Sequence, residues 1–225
     1  MIRKPFLLFL LAVLVLASCT ALPDLSGDLT AEETESAEVA VDGALPIEIN
    51  NFAGTITVRE GESNRVAATV IKESRLENAT EAQAQLDKIT LVVEQTGSRA
   101  VVDVDGPDNV DNLADMEIGL TARLEVTVPP GSDLTVNLGA GEITLDQPTG
   151  DANVNSGAGA ATAILPGDAS FRLVVTGGVA GVESEFEGVP DGGLAADIDT
   201  TIGSNPTQTL SFNVGAGEVN LQKAP

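Results

Sequence analysis

Histidine, tryptophan and tyrosine are absent from this 225-residue chain, and cysteine occurs only once. Histidine is the only side chain whose unperturbed pKa lies near neutrality, so acid–base catalysis would fall to carboxylates or lysines with shifted pKa values. The cysteine, Cys19, lies near the start of the chain. The remaining residues can therefore form neither a disulfide bond nor a cysteine–histidine metal site. We predict a protein that is not an enzyme and has no catalytic residues.

Basic and aromatic residues are also scarce. The chain has 11 lysines and arginines against 34 aspartates and glutamates, which gives a formal net charge of −23. Nucleic-acid binding requires a basic surface, and anionic lipid head groups attract basic segments. Six phenylalanines are the only aromatic residues, which argues against ordinary carbohydrate binding by ring stacking. We predict no nucleic-acid partner and no basic membrane-binding surface.

The first residues have the pattern of a secretory signal peptide. Arg3 and Lys4 precede an apolar stretch from Phe6 to Leu16, and small residues lead up to Cys19. The apolar stretch is much shorter than the roughly 20 residues that a helix needs to span a bilayer. We predict a signal peptide over residues 1–18, with an uncleaved signal anchor as the alternative.

The run Leu16-Ala17-Ser18-Cys19 resembles the lipobox of bacterial lipoproteins. This resemblance implies cleavage before Cys19 and attachment of membrane lipid to its sulfur. Two or more acyl chains anchor a protein stably, whereas one does so marginally. The resemblance places the protein outside the cytoplasm, lipid-anchored in the bacterial cell envelope. In a host with two membranes, Thr20 in place of a retaining aspartate favours the outer membrane.

The segment that follows is acidic and poor in large apolar residues. Residues 19–43 are rich in alanine, glutamate, aspartate, serine and threonine and contain no basic or aromatic residue. Such a composition buries too little apolar surface to offset the entropy of ordering, so we predict a disordered tether with a reach of about 25–30 Å. Residues 44–225 fit a single domain.

Within that domain, apolar and polar residues alternate in the manner of half-buried strands. Turn-forming residues separate the alternating runs at 61–64, 96–98 and 129–132. One segment differs, because Leu76, Ala79, Ala82, Leu86 and Ile89 recur at the three- and four-residue spacing of a helix face. With Asn78 as N-cap and Glu81 three residues later, we predict one helix from Ala79 to Lys88.

An internal repeat is the most specific feature of the domain. Leu134–Leu145 reads LTVNLGAGEITL and Leu210–Leu221 reads LSFNVGAGEVNL, and the centre recurs in Ala152–Ala163 and Ile47–Val58. Spacings of about 19 residues between the motifs are typical of a solenoid. We predict an all-β fold, a single-stranded β-helix (β-solenoid) with about five 19-residue coils and one short helix.

The repeated glycines and asparagines define the corners of the predicted coils. Glycine permits positive φ and close approach of the backbone, and stacked asparagines form amide ladders. The predicted corner and ladder residues are Gly54, Asn137, Gly139, Gly141, Asn155, Gly157, Gly159, Asn213, Gly215 and Gly217. A phosphate-binding interpretation of Gly-x-Gly requires a strand–loop–helix context. Strands are predicted on both sides here, so we predict no nucleotide partner.

Four aspartates cluster around Gly106. Their spacing is not that of an EF-hand, which requires glycine at the sixth position and glutamate at the twelfth. An acidic turn is the favoured interpretation, and a loose calcium site is the alternative; no other cofactor is predicted. The four residues are Asp103, Asp105, Asp108 and Asp111.

Two segments resemble the bacterial DUF4097 adhesin-like domain: Ile47–Val58, IEINNFAGTITV, and the run LEVTVPPG from Leu124 to Gly131. The resemblance covers residues 44–225 and implies a β-solenoid on the cell envelope, without catalytic residues. The function it favours is a surface module that binds an unknown protein or surface polymer or acts as a scaffold. An accessory protein of envelope-stress signalling, binding a membrane partner, is the alternative. A polysaccharide-cleaving β-helix enzyme is disfavoured, because only Arg172 and Lys223 are basic after Arg123.

Overall fold

The computed structural model describes residues 29–106, 119–190, 193–194 and 196–225. Strands account for most of these residues, and a single α-helix is present among them. In chain order the elements are β1 Ala31–Ala40, β2 Ile47–Glu60, β3 Arg65–Ser74, α1 Ala79–Leu86, β4 Thr90–Thr96, β5 Arg99–Asp105, β6 Leu120–Val128, β7 Leu134–Asp146, β8 Ala152–Leu165, β9 Phe171–Ser184, β10 Gly193–Leu194, β11 Asp197–Ile202 and β12 Gln208–Lys223.

The strands form one open sheet that divides into two arms. Five long parallel strands, in the order β2–β7–β8–β12–β9, belong to both arms. The first half of β2 pairs with β5 and its second half pairs with β6. The first arm therefore runs β4–β5–β2–β7–β8–β12–β9–β11, and the second runs β1–β3–β6–β2–β7–β8–β12–β9–β10.

The long strands turn at the repeated Gly-Ala-Gly motif. In β7 the buried residues are Leu134, Val136 and Leu138 before the motif, and Ile143 and Leu145 after it. The buried residues are even-numbered before the motif and odd-numbered after it. Because side chains alternate between the two faces of a strand, a strand without this corner would turn the apolar residues of its second half away from the core. The corner thus lets both halves of each strand contribute to one hydrophobic core.

The local predictions for the strands are confirmed, and the predicted helix begins at Ala79 as expected but ends at Leu86, two residues before the predicted end at Lys88. The alternating residues of the repeat strands are buried, and turns occupy the predicted positions between β2 and β3, β4 and β5, and β6 and β7. In α1 the Asn78 side chain accepts hydrogen bonds from the backbone N–H of Thr80 and Glu81. Ala82 and Leu86 of the helix are fully buried.

The stacking of bent strands is solenoid-like, but the predicted regular coil is wrong at the C-terminal end. Strands β7 and β8 pair in register at 18 residues' separation, Leu134 with Ala152. The last strand, β12, instead inserts between β8 and β9, pairing Leu210 with both Ala152 and Leu173. In the described part of the chain between β9 and β12, strands β10 and β11 fold back antiparallel onto β9 and add no coil to the stack.

The predicted disordered tether is wrong for residues 31–40, which form strand β1. This strand pairs antiparallel with β3 over its whole length. Its acidic side chains find basic partners there: Lys72 Nζ lies 2.9 Å from Glu35 and 3.4 Å from Glu33. Composition could not reveal this, because the compensating charges lie on another strand. Residues 19–28 of the tether, the signal peptide and Cys19 lie outside the described residues.

Strand β1 also shows how the acidic segment closes the core. It lies against β4 and α1, at the end of the stack where the edge strands of the two arms meet.

Within the ranges that the structure describes, no helix is both long enough and apolar enough to cross a membrane.

Candidate functional site

Parallel pairing lines up a row of polar side chains across the outer face of the first arm. In register from one edge to the other, the row contains Asp103, Asn50, Asn137, Asn155, Asn213, Thr176 and Asp197. Neighbouring strands are about 4.8 Å apart, so equivalent side chains recur at that interval. The row thus places amides in its middle and a carboxylate at each end.

Three of the asparagines form a hydrogen-bonded ladder. Asn155 Nδ2 donates to Asn137 Oδ1 at 2.9 Å, and Asn137 Nδ2 donates to Asn50 Oδ1 at 2.7 Å. The sequence repeat predicts a ladder of Asn137, Asn155 and Asn213. Asn213 does stand in register with Asn155, but the hydrogen-bonded members are Asn50, Asn137 and Asn155, so the ladder is shifted by one strand.

Two columns of glycines run beside the asparagine row. In the first column, a Cβ on Gly139 would overlap the carbonyl oxygen of Phe52, and a Cβ on Gly157 would overlap that of Gly139; Gly215 follows in β12. The second column contains Gly54, Gly141, Gly159 and Gly217, all with positive φ. The strands approach so closely at the corners that only glycine fits.

The absence of side chains in the first glycine column creates a groove, named here the asparagine groove. The groove is open to solvent and has a volume of about 640 Å³, and the ring of Phe52 stands at its β5 end. A Cβ on Gly106 would lie 2.9 Å from that ring, so the backbone at Gly106 packs directly on Phe52. The lining residues are Asn50, Asn51, Phe52, Asp103, Val104, Asp105, Gly106, Asn137, Leu138, Gly139, Asn155, Ser156, Gly157, Asn213 and Gly215.

Two buried polar atoms in the groove lining have no hydrogen-bond partner among the described residues. They are Asn51 Oδ1 and Ser156 Oγ, and their residues are only 4% and 5% exposed. The Asn51 amide nitrogen donates to the carbonyl oxygen of Ala122 at 2.9 Å. Buried polar atoms normally have partners, so these two are exceptions, and they lie on the core side of the strands that line the groove.

The acidic end of the groove has unusual electrostatics. The pKa of the Asp103 carboxyl is raised above its usual value of 3.8, mainly because burial disfavours the charged form and also because Asp105 and Glu48 repel it. A hydrogen bond from Asn50 opposes this rise. Asp103 is therefore partly desolvated at its position at the end of the amide ladder, which makes its charged form less stable.

Of the predicted calcium ligands, the structure places Asp103 and Asp105 at the end of β5. Asp108 and Asp111 lie outside the described residues. Among the residues that are described, no three or more histidine, cysteine, aspartate or glutamate side chains are grouped so that they could hold a metal. Calcium binding by all four aspartates stays a prediction.

The raised pKa of Asp103 gives a stability prediction. A carboxyl whose pKa is higher in the folded than in the unfolded state destabilises the fold when ionised, and this effect disappears as the pH falls below the unfolded pKa. Asp103→Asn should therefore increase the free energy of unfolding at pH 7, and the increase should vanish below about pH 4. Urea denaturation at pH 7 and pH 3.5 measures both values.

The matched control for Asp103 is Asp197→Asn, which removes one charge from the exposed opposite end of the same row. We expect a smaller increase there. Equal increases at both positions would assign the effect to the overall negative charge and contradict the local explanation.

Among the residues of the groove that sequence reasoning missed are Asn50, Asn51, Phe52 and Ser156. Asn50 was already aligned with the other asparagines by the repeat, so its place in the ladder was accessible from the sequence. The others carried no signal, because Asn51 and Ser156 occupy inward positions where the pattern calls for apolar residues.

Comparison with known proteins relates the chain to one family and one fold. The family model described as the N-terminal domain of toast_rack, DUF2154, matches residues 26–185. No curated protein sequence gives a significant match. The resemblance to DUF4097 stays a prediction.

A solved structure shares the architecture of this chain at low sequence identity. A candidate cell adhesion protein from Clostridium sporogenes is 15% identical, with a TM-score of 0.54 over 86% of this chain and all (100%) of that one. This likeness supports the fold alone. A candidate adhesin from Bacteroides fragilis is 10% identical over 85% of this chain and 98% of that one, with a TM-score of 0.29.

Proposed function

Since this chain belongs to the toast_rack N-terminal domain (DUF2154) family, we propose that it is a non-enzymatic, adhesin-like module that displays the outer face of its first arm to an extended partner. The observation that carries this proposal is the asparagine groove. Each of several parallel strands presents the same polar position at the same height, which suits a partner that repeats along its length. The name of the Clostridium sporogenes structure, a candidate cell adhesion protein, agrees with this role.

The proposed location is the bacterial cell envelope, where lipid on Cys19 holds the module. Strand β1 begins at Ala31, which leaves a short connection between the anchor and the folded domain. The predicted tether is then limited to the residues before Ala31, so its reach is shorter than the about 25–30 Å of residues 19–43. We therefore propose that the module works close to the membrane surface, at a shorter distance than the full tether would have allowed.

The anchor is tested by Cys19→Ala. Without the sulfur no lipid can be attached, and we expect the protein to leave the membrane fraction or to accumulate as an uncleaved precursor. Fractionation of cells followed by immunoblotting measures this. Ser18→Ala, which keeps a small residue before the cysteine, is the control and should leave processing unchanged. Normal processing and membrane retention of the Cys19→Ala protein would contradict the anchor.

The binding role is tested with the lipid-free domain, residues 29–225, bearing a photo-crosslinker on the outer face. We expect a crosslinker at Thr135, one row from the groove, to capture surface polymer or matrix, whereas one at Thr57, on the second arm, captures much less. Capture of a single membrane protein at either position would support the signalling alternative. Equal capture at both positions would contradict a role for the groove face.

A further inference from the structure

The asparagine groove has the chemistry to select one class of polymer. Resting on the binding role proposed above, we propose that the groove binds an extended, uncharged polysaccharide that lies across the strands, with successive sugar residues on successive strands.

The first argument is the hydrogen-bonding capacity that the ladder leaves over. An asparagine amide has two N–H donors and an oxygen with two lone pairs. Asn137 uses one N–H toward Asn50 and one lone pair toward Asn155. One donor and one acceptor are left on this amide, and the ladder bonds already fix its orientation. Hydroxyl groups both donate and accept, so a polyhydroxyl ligand matches such a row.

The distance between equivalent groups of the groove fits a polysaccharide better than an extended peptide. Equivalent groups of the groove recur at about 4.8 Å, whereas the side chains on one face of an extended peptide recur at about 6.6–6.8 Å. A sugar residue in an extended chain is close to one strand spacing in length. The groove draws residues from the five strands β5, β2, β7, β8 and β12, so it would hold an oligosaccharide of a few residues.

The negative charge at one end of the groove argues against acidic polysaccharides as its ligands. Asp103 and Asp105 line one end of the groove, and Glu48 acts on the same carboxyl group. Burial already raises the pKa of Asp103, so an anionic ligand would place further negative charge beside a destabilised carboxylate. The half-buried ring of Phe52 stands at this end, and the backbone at Gly106 already packs on it. The scarcity of aromatic residues therefore limits stacking but leaves the hydrogen-bonding row intact.

The experiment uses the lipid-free chain and three soluble probes: the linear hexasaccharides of β-1,4-linked glucose and N-acetylglucosamine, and polygalacturonate. Calorimetric titration should detect binding of at least one neutral hexasaccharide and none of polygalacturonate. The variant Asn155→Ala/Asn213→Ala should weaken binding about tenfold or more, as expected for two lost hydrogen-bonding amides. Asn153→Ala, on the same face of β8 but outside the groove, should bind as the wild type does.

Three results would overturn the inference: no binding of either neutral hexasaccharide, preference for polygalacturonate, or equal weakening by Asn153→Ala. Circular dichroism melting of each variant shows whether it is folded. If the double variant does not fold, Asn213→Ala alone tests binding, because Asn213 is exposed and lies outside the hydrogen-bonded ladder. The crosslinking experiment separates the two proposals. Capture at Thr135 without any neutral-sugar binding would keep the binding module and reject its polysaccharide ligand.

Discussion

Gly141→Val and Gly217→Val are expected to remove most of the stability of the fold. Both glycines have positive φ, +134° and +153°, a region that β-branched residues avoid. A Cβ at Gly141 would overlap the carbonyl oxygen of Gly54, and a Cβ at Gly217 would overlap that of Gly159. The obstacle is backbone held in the parallel ladder on both sides, so it cannot move aside as a flexible side chain would.

The expected size follows from these two effects together. Overlap with a fixed backbone in addition to backbone strain places the loss above about 4 kcal/mol, a large part of the 5–15 kcal/mol that stabilises a typical domain. The melting temperature should fall by about 8–16 °C or more, or the protein should fail to fold. Thermal and urea denaturation followed by circular dichroism measures the loss.

The control for the corner glycines is Gly181→Val. Gly181 lies in β9, in register with Glu218, and a Cβ there would meet no atom within 4 Å. Its φ is not positive, so valine fits the strand conformation, and we expect no loss of stability. If Gly141→Val melts like Gly181→Val, the close packing at the corners does not exist.

Lys72→Met should release strand β1 while leaving the rest of the sheet folded. The Lys72 side chain is only 4% exposed, and its ammonium group contacts Glu35 and Glu33, which are 18% and 26% exposed. Removing one member of a buried ion pair costs about 3–5 kcal/mol, and the partial exposure of the two glutamates reduces this to about 2–3 kcal/mol here. Hydrogen exchange should accelerate in residues 31–40, together with a lower free energy of unfolding.

Lys88→Met is the matched control, because it removes the same charge from an exposed position just after α1. We expect almost no change in stability and normal protection of β1. Similar exchange in the two variants would mean that backbone pairing with β3 holds β1 without help from the ion pairs.

Local structure was predictable from the sequence because each local feature has its own physical cause. The alternation Leu134, Val136, Leu138 specifies a strand with one buried face. Asn78 specifies the start of a helix, because its side chain satisfies free N–H groups. The repeated Gly-Ala-Gly specifies a corner, since only glycine accepts both the dihedral angle and the close approach.

The order of the strands was decided by the tertiary structure. Backbone hydrogen bonding alone would allow β12 to lie either beside β8 or at the end of the stack, because every strand offers the same N–H and C=O groups to its neighbour. A strand inside the stack must match the corner on both sides, whereas an end strand matches on one side only. Strand β12 has Gly217 at the corner, but the residue of β9 in the same register is Ala180. This favours β12 beside β8 and β9 at the end.

The sequence by itself thus determined the all-β class, the bent strands and the helix, because each depends on residues that are close together in the chain. Only the tertiary structure decided that the acidic segment 31–40 is ordered, since Lys72 and the edge of β3 supply its partners. The repeat predicted which asparagines and glycines share a register. Only the tertiary structure placed β12 beside β8 and β5 beside β2, which brings Asn213, Asp103 and Asp105 into the same groove.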